Sequence, residues 1–319
     1  GDIGRIGLAV SPADPDVVYA IVEAAEGGGV YKSTNRGASW SKQGTYTSSG
    51  NYYQEIFADP KDVNKLYAMN AYMVISTDGG KNFKILGEKS KHIDNHAMWI
   101  NPTNTDHYIV GSDGGLYETW DAAANWHFKP NLPVTQFYKV ATDNAWPFYH
   151  IHGGTQDNFS IGGPSGTISG NGIFNSDWYS TSIGDGFETQ VDQSDPNIVY
   201  AQSQYGGLVR YDKKSGEMLD IKPIEMEGEA AYRWNWDAPL LISQFDNKRL
   251  YFASNKLFRT DDRGNTWRAI SSGLSRQIDR NKLPVMGRVW SNDAVAKNGS
   301  TDIFGNITAI AESKFDQDL

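Results

Sequence analysis

The stretch "IGLAVSPADPDVVYAIV", residues 6–22, reads as a hairpin. Ile6, Leu8 and Val10 alternate with small residues, an Asp/Pro-rich turn follows, and a Tyr-bearing apolar run returns. Alternation at period two places one row of side chains on one strand face, and Asp and Pro fix a tight reversal. The same order recurs in "EIFADPKDVNKLYAM" (55–69), "MWINPTNTDHYIVG" (98–111), "YKVATDNAWPFYHI" (138–151), "TQVDQSDPNIVYAQ" (189–202) and "LLISQFDNKRLYFAS" (240–254). Aligned on the turn, the anchors are Pro12, Pro60, Pro102, Thr142, Gln193 and Gln244, at intervals of 48, 42, 40, 51 and 51 residues. "ITAIAESKFDQDL" (307–319) starts the element again and stops before its Tyr. The chain therefore holds six repeats and the first strand of a seventh.

A second signature follows the hairpin in four repeats. "STNRGASW" (33–40), "STDGGKNF" (76–83), "TWDAAANW" (119–126) and "TDDRGNTW" (260–267) share the frame S/T-x-D/N-x-G/A-x-x-aromatic. An Asp-type side chain bonds the N–H groups of its own turn, Gly accepts a positive φ, and the aromatic fills the gap between neighbouring sheets. Asp78, Asp121 and Asp262 are thereby assigned to folding and not to chemistry. Repeat 137–187 has no such box, and repeat 188–238 carries "YDKKSGEM" (211–218) in its place.

A unit of 40–50 residues with four short strands is the size of a propeller blade. The expected fold is all-β, a β-propeller of four-stranded blades. Blade-like units are expected at about 1–50, 51–93, 94–135, 136–186, 187–237 and 238–305, with a partial one at 306–319. A boundary between propellers is placed near 128–136, where a Pro-bearing linker precedes the irregular fourth repeat.

Composition narrows the function. A net charge of −9 argues against a nucleic-acid groove, which needs a basic face. Ten Trp, seventeen Tyr and thirteen Phe suit a carbohydrate or peptide surface. The absence of Cys excludes disulfides, thiolate metal sites and a Cys nucleophile. No apolar run approaches the length of a membrane span.

The box pattern resembles the Asp-box, or BNR, repeat. The chain as a whole resembles the large exported bacterial BNR-repeat proteins, "glycosyl hydrolase" or sortilin-like tandem propellers related to the family 74 glycoside hydrolases. The resembling segments are "GRIGLAVSPADPDVVYA", "DNHAMWINP", "GSDGGLYETWD", "NLPVTQFYKVATDNAWPFYHIHGGTQDN", "RWNWDAPLLIS" and "KLPVMGR". The sialidase branch of Asp-box proteins is set aside, because no Arg-Ile-Pro and no arginine triad can be read. The resemblance implies a segment of a tandem propeller, an exported location with the signal peptide outside this segment, and the rest of the parent chain as a partner. It implies hydrolysis of a polysaccharide or oligosaccharide, or sortilin-like capture of a peptide, protein or glycan without chemistry. No catalytic Asp of family 74 can be mapped onto this sequence residue by residue.

In a propeller the starts of the first strands, and the loops leaving the second strands, form the usual ligand rim. Glycoside hydrolysis needs one carboxyl held protonated and a second to activate water or attack the sugar. The catalytic candidates on that rim are Asp94, Asp113, Asp157, Asp185, Glu188 and Asp237. Substrate contacts are expected from Gln54, His96, Tyr138, Trp146, Gln156, Asn158 and Trp236, with Trp99, Tyr149, Trp178 and Trp234 as further ring surfaces. The run "HIDNHAMWINP" (92–102) puts His92, Asp94 and His96 at alternate positions, which an extended strand would present on one face. His150 and His152 repeat the alternation. Hydrogen bonding in a polar channel is the commoner use of such histidines, and no metal or cofactor is expected. The long "RQIDRNKLPVMGRVWSNDAVAKNGSTDIFGN" (276–306) lacks strand periodicity and reads as a lid or an inter-propeller crossover.

Overall fold

The structure, a computed structural model, describes residues 3–49, 53–132, 134–295, 297 and 304–317. The described residues form six four-stranded antiparallel sheets, each a meander in chain order, the all-β pattern of propeller blades. The first sheet is β1 (Ile3–Val10), β2 (Val18–Ala24), β3 (Gly29–Ser33) and β4 (Ser41–Gly44). The second holds β5 (Ile56–Ala58) to β8 (Lys84–Ile85), and the third β9 (Asn95–Ile100) to β12 (His127–Phe128). The fourth runs from β13 (Lys139–Thr142) to β16 (Tyr179–Ser182), the fifth from β17 (Thr189–Val191) to β20 (Met218–Asp220), and the sixth from β21 (Leu240–Ile242) to β24 (Arg268–Ala269). The chain divides into two compact units: Gly1–Pro133 with Asp279–Asp302, and Val134–Ile278 with Ile303–Leu319. Each unit carries three sheets.

One polar residue ends the first strand of every sheet: Ser11, Asp59, Asn101, Asp143, Asp192 and Ser243, all buried or nearly so. From Asp59 onward each accepts the N–H two residues on, as from Lys61, Thr103, Ala145, Ser194 and Phe245. This Asx or Ser turn satisfies donors that would otherwise be buried without a partner. The fourth repeat departs from its sequence alignment. Asp143 fills the slot where anchoring on Thr142 points to Ala141, because "DNAWPFY" makes a longer turn.

The box turns are built as their frame requires. Asp78 Oδ1 accepts from Ser76 Oγ and from the N–H groups of Lys81 and Asn82, and Asp121 and Asp262 repeat the pattern. The closing aromatic reaches the preceding sheet. Trp126 Nε1 donates to Gly87 O at 2.8 Å, Trp267 Nε1 to Ile221 O at 2.6 Å, and Phe83 stacks on Tyr46 at 4.6 Å. In the fifth sheet, which lacks a box, Asp212 ties the turn by accepting from Lys214 N and, through its carbonyl, Gly216 N.

Apolar cores lie between sheets one and two (Tyr19, Ile21, Ile56, Leu66), two and three (Tyr67, Met69, Tyr108, Trp126), and five and six (Tyr200, Trp234, Leu250, Phe252). Each fully buried Leu or Phe contributes about 1.5–3 kcal/mol relative to exposure. Sheets four and five bury polar side chains as well, His152, Ser160, Thr181 and Thr189, alongside Phe187 and Val191. The segment expected to open a seventh repeat joins no ladder among the described residues. It lies along the sixth sheet, with Ile307 N–H donating to Ser254 O and Glu312 accepting from Ser243 Oγ and Gln244 N–H. Among the described residues of 276–306 the one regular element is a 3-10 turn at Arg280–Lys282.

Candidate functional site

In the first unit, the lead-ins to β5 and β9 and the turn between β10 (Tyr108–Ser112) and β11 (Gly115–Thr119) bring several candidates together. His96 Nε2 lies 2.9 Å from Asp113 Oδ1, and Asp113 N–H donates to Asp94 O. Tyr53 donates its hydroxyl to Asp94 Oδ1 at 2.6 Å and stacks on the His96 ring at 5.5 Å. Arg5 reaches Glu55 at 3.8 Å. Two expectations are corrected here. Asp94 has φ +62°, so the chain is not extended across it and His92, Asp94 and His96 do not share a strand face. Gln54 is no rim contact: its side chain is buried, with its amide accepting from Ser48 N–H and donating to Ser48 O. Beneath the turn, Lys91 and Glu88 form a buried pair with Asn95; burial lowers the lysine and raises the carboxyl.

In the second unit the rim is denser. Lys139, first residue of β13, sits 2.8 Å from Glu188 Oε2 and 3.3 Å from Asp237 Oδ2. Burial alone would lower its pKa, and the two carboxylates outweigh burial and raise it. Asp157 N–H donates to Asp185 Oδ1 at 3.1 Å, and Tyr138 donates to Gln156 Oε1. Asn158 Nδ2 donates to Gln156 O. A ring cluster borders the ion pairs. Trp236 meets Tyr205 edge-on at 4.9 Å and Phe187 at 6.0 Å, and Phe187 lies 5.1 Å from Tyr138. Trp236, Tyr205 and Tyr138 are each about half exposed.

Positive φ recurs along both rims outside glycine: Gln54, Asp94, Asp157, Phe159 and Tyr205. Such backbone is strained and persists where surrounding structure imposes it, commonly at binding or catalytic sites.

The remaining ring candidates lie elsewhere. Trp146 and Tyr149 sit in the turn from β13 to β14 (His150–Gly154), at the opposite end of β13 from Tyr138, so Trp146 is corrected from a rim contact to an exposed residue of the far turn. Trp99 stands against His107, itself stacked on Trp120. Trp178 packs over Gly163, and Trp234 belongs to the core of sheets five and six. Among the described residues no group of three His, Asp or Glu is placed to hold a metal ion. Sequence reasoning missed Lys139, Phe187 and Tyr205; the signal for Lys139 was a cation opening an otherwise apolar inner strand.

No family model matches the chain. Over 288 residues it is 24% identical to xyloglucanase Xgh74A of Acetivibrio thermocellus, an alignment covering 82% of this chain and 32% of that protein. The chain thus spans about a third of the length of the curated relatives it matches. The resemblance to family 74 drawn from the sequence segments is met by this match. Among solved structures, the GH74 enzyme of Niastella koreensis aligns at 12% identity over 86% of this chain and 59% of its own, with a TM-score of 0.33. YCF48 from Cyanidioschyzon merolae aligns at 15% identity over 84% of each chain, with a TM-score of 0.28. Likeness at that level fixes neither a site nor an activity.

Proposed function

We propose that this chain is a carbohydrate-directed propeller segment that holds a glycan of the xyloglucan type at the rim of its second unit. The observation that carries the reading is the half-exposed ring cluster of Trp236, Tyr205 and Tyr138 beside the Lys139–Glu188–Asp237 trio. Rings stack on the apolar faces of sugars, and the trio offers an ammonium donor and carboxylate acceptors to hydroxyls. Recognition fits better than turnover. Glu188 and Asp237 both spend an oxygen on the one Lys139 ammonium, at 2.8 and 3.3 Å, an ion-paired cluster suited to hydrogen bonding with sugar hydroxyls. Hydrolysis by rim carboxylates, including Asp94, Asp113, Asp157 and Asp185, is the second reading, supported by the sequence match to a xyloglucanase.

The finer expectations join this proposal. Export suits a polysaccharide ligand, and a joint between propellers near 128–136 agrees with the division between Pro133 and Val134. Calorimetric titration with xyloglucan oligosaccharides tests the reading. Saturable binding without product release is expected, weakened about tenfold, roughly 1.4 kcal/mol, by Trp236→Ala. Sugar release would favour hydrolysis, binding only of peptides the sortilin-like alternative, and no glycan binding would retire the proposal.

A further inference from the structure

The sixth sheet carries a second polar constellation, on its outer strands. Arg259 on β23 (Leu257–Thr260) pairs across the ladder with Arg268 on β24, and Arg249 precedes β22 (Leu250–Ala253) on the neighbouring register. All three converge on Asp261. Arg249 Nε lies 2.8 Å from Oδ1, Arg259 Nη2 2.8 Å from Oδ1, and Arg268 Nη1 3.1 Å from Oδ2. Arg259 and Arg268 border a depression of about 180 Å³ that also touches Thr266 and Trp267.

Asp261 and Asp262 balance the charges of Arg259 and Arg268 at the depression, so what it offers an anion is unused N–H donors and not a net positive charge. Asp262 also faces the depression, but its oxygens are taken by Thr260 Oγ1, Thr266 N–H and Thr266 Oγ1 in the box turn. Asp246 acts on Arg249, and Glu312 on Tyr251 beside it. Each guanidinium has five N–H donors in a planar fork, matched to the oxygens of carboxylate, sulfate or phosphate. The contacts to Asp261 use a minority of them. Arg249 does not line the depression; it holds Asp261 in place from the neighbouring strand.

We propose that this face is an oxyanion site, in which Arg259 and Arg268 take a carboxylate, sulfate or phosphate group and Asp261 holds the forks in position. The ligand is either a free ion or an anionic group carried on a sugar. The site lies on the outer strands of the sixth sheet and is independent of the rim reading.

Calorimetric titration of the intact chain with sodium sulfate, inorganic phosphate, glucuronate and glucose tests it, at fixed low ionic strength and again in added sodium chloride. Saturable binding of at least one anion is expected, with none of glucose, weakening as chloride rises. Arg268→Gln, at a half-exposed position, and Arg259→Gln should each weaken it at least fivefold, while Trp236→Ala leaves it unchanged. Tighter binding of glucuronate than of sulfate or phosphate assigns the site to an anionic sugar, and the reverse to a free ion. Absence of saturable anion binding, or binding that survives both arginine substitutions in chains with unchanged circular dichroism, overturns the proposal.

Discussion

Ala123 occupies, with φ +72°, the box position that the second and sixth sheets fill with Gly80 and Gly264. A Cβ in the left-handed region costs roughly 1–2 kcal/mol, while glycine adds entropy to the unfolded chain. Ala123→Gly should therefore stabilise, by up to about 1 kcal/mol, as the shift of the urea midpoint. Gly80→Ala should go the other way by about 2 kcal/mol, since its Cβ would stand 2.6 Å from Val30 Cγ1. His152 gives a pH signature. Burial, then the Lys213 charge, lowers it to about 4, so the folded state resists a proton that the unfolded state accepts near 6.5. Its depressed pKa makes stability complete above about 6.5 and lost as pH falls towards 4, by an amount on the order of 3 kcal/mol. His152→Gln should flatten that acid slope in urea titrations at pH 7, 5.5 and 4. A slope unchanged by the substitution would assign acid lability to other groups.

At the scale of elements, one sequence frame meets different surroundings. Trp126 and Trp267 are clamped against the preceding sheet, whereas Trp40, in the same box position of the first sheet, is 41% exposed. Trp126→Ala should cost about 3–5 kcal/mol and Trp40→Ala under 1 kcal/mol, compared by chemical denaturation. Sheets five and six are also latched by charge: Arg263 Nη2, in the box of the sixth, lies 2.7 Å from buried Asp192 in the fifth. Asp192→Ala removes a buried acceptor of two turn N–H groups and this cation, a loss of about 3 kcal/mol in the same assay. The hairpins and boxes were legible because their information is local: alternation, Asp/Pro turns and Gly-Gly pairs act within a dozen residues. The fourth repeat was less legible, because a longer turn moved its polar cap from the expected alignment to Asp143.

For the whole molecule, the two units carry separate apolar cores, so damage to one should stay within it. Leu250→Ala should raise amide exchange in sheets five and six and leave sheets one to three protected as before, read by hydrogen exchange. Sequence alone determined the number of four-stranded units, the box turns and the exclusion of Cys chemistry, since each follows from composition or from contacts within one repeat. It also located the rim carboxylates Asp94, Asp113, Asp157, Asp185, Glu188 and Asp237 as candidates for chemistry. Only the tertiary structure decided which of them meet: His96 with Asp113, Asp157 with Asp185, and Glu188 with Asp237 through Lys139. It also removed Gln54 and Trp146 from the rim and joined Arg249, Arg259 and Arg268 around Asp261. Pairing between side chains up to about a hundred residues apart depends on strand register and on local φ at single residues such as Asp94, and neither is written in a pattern of alternation.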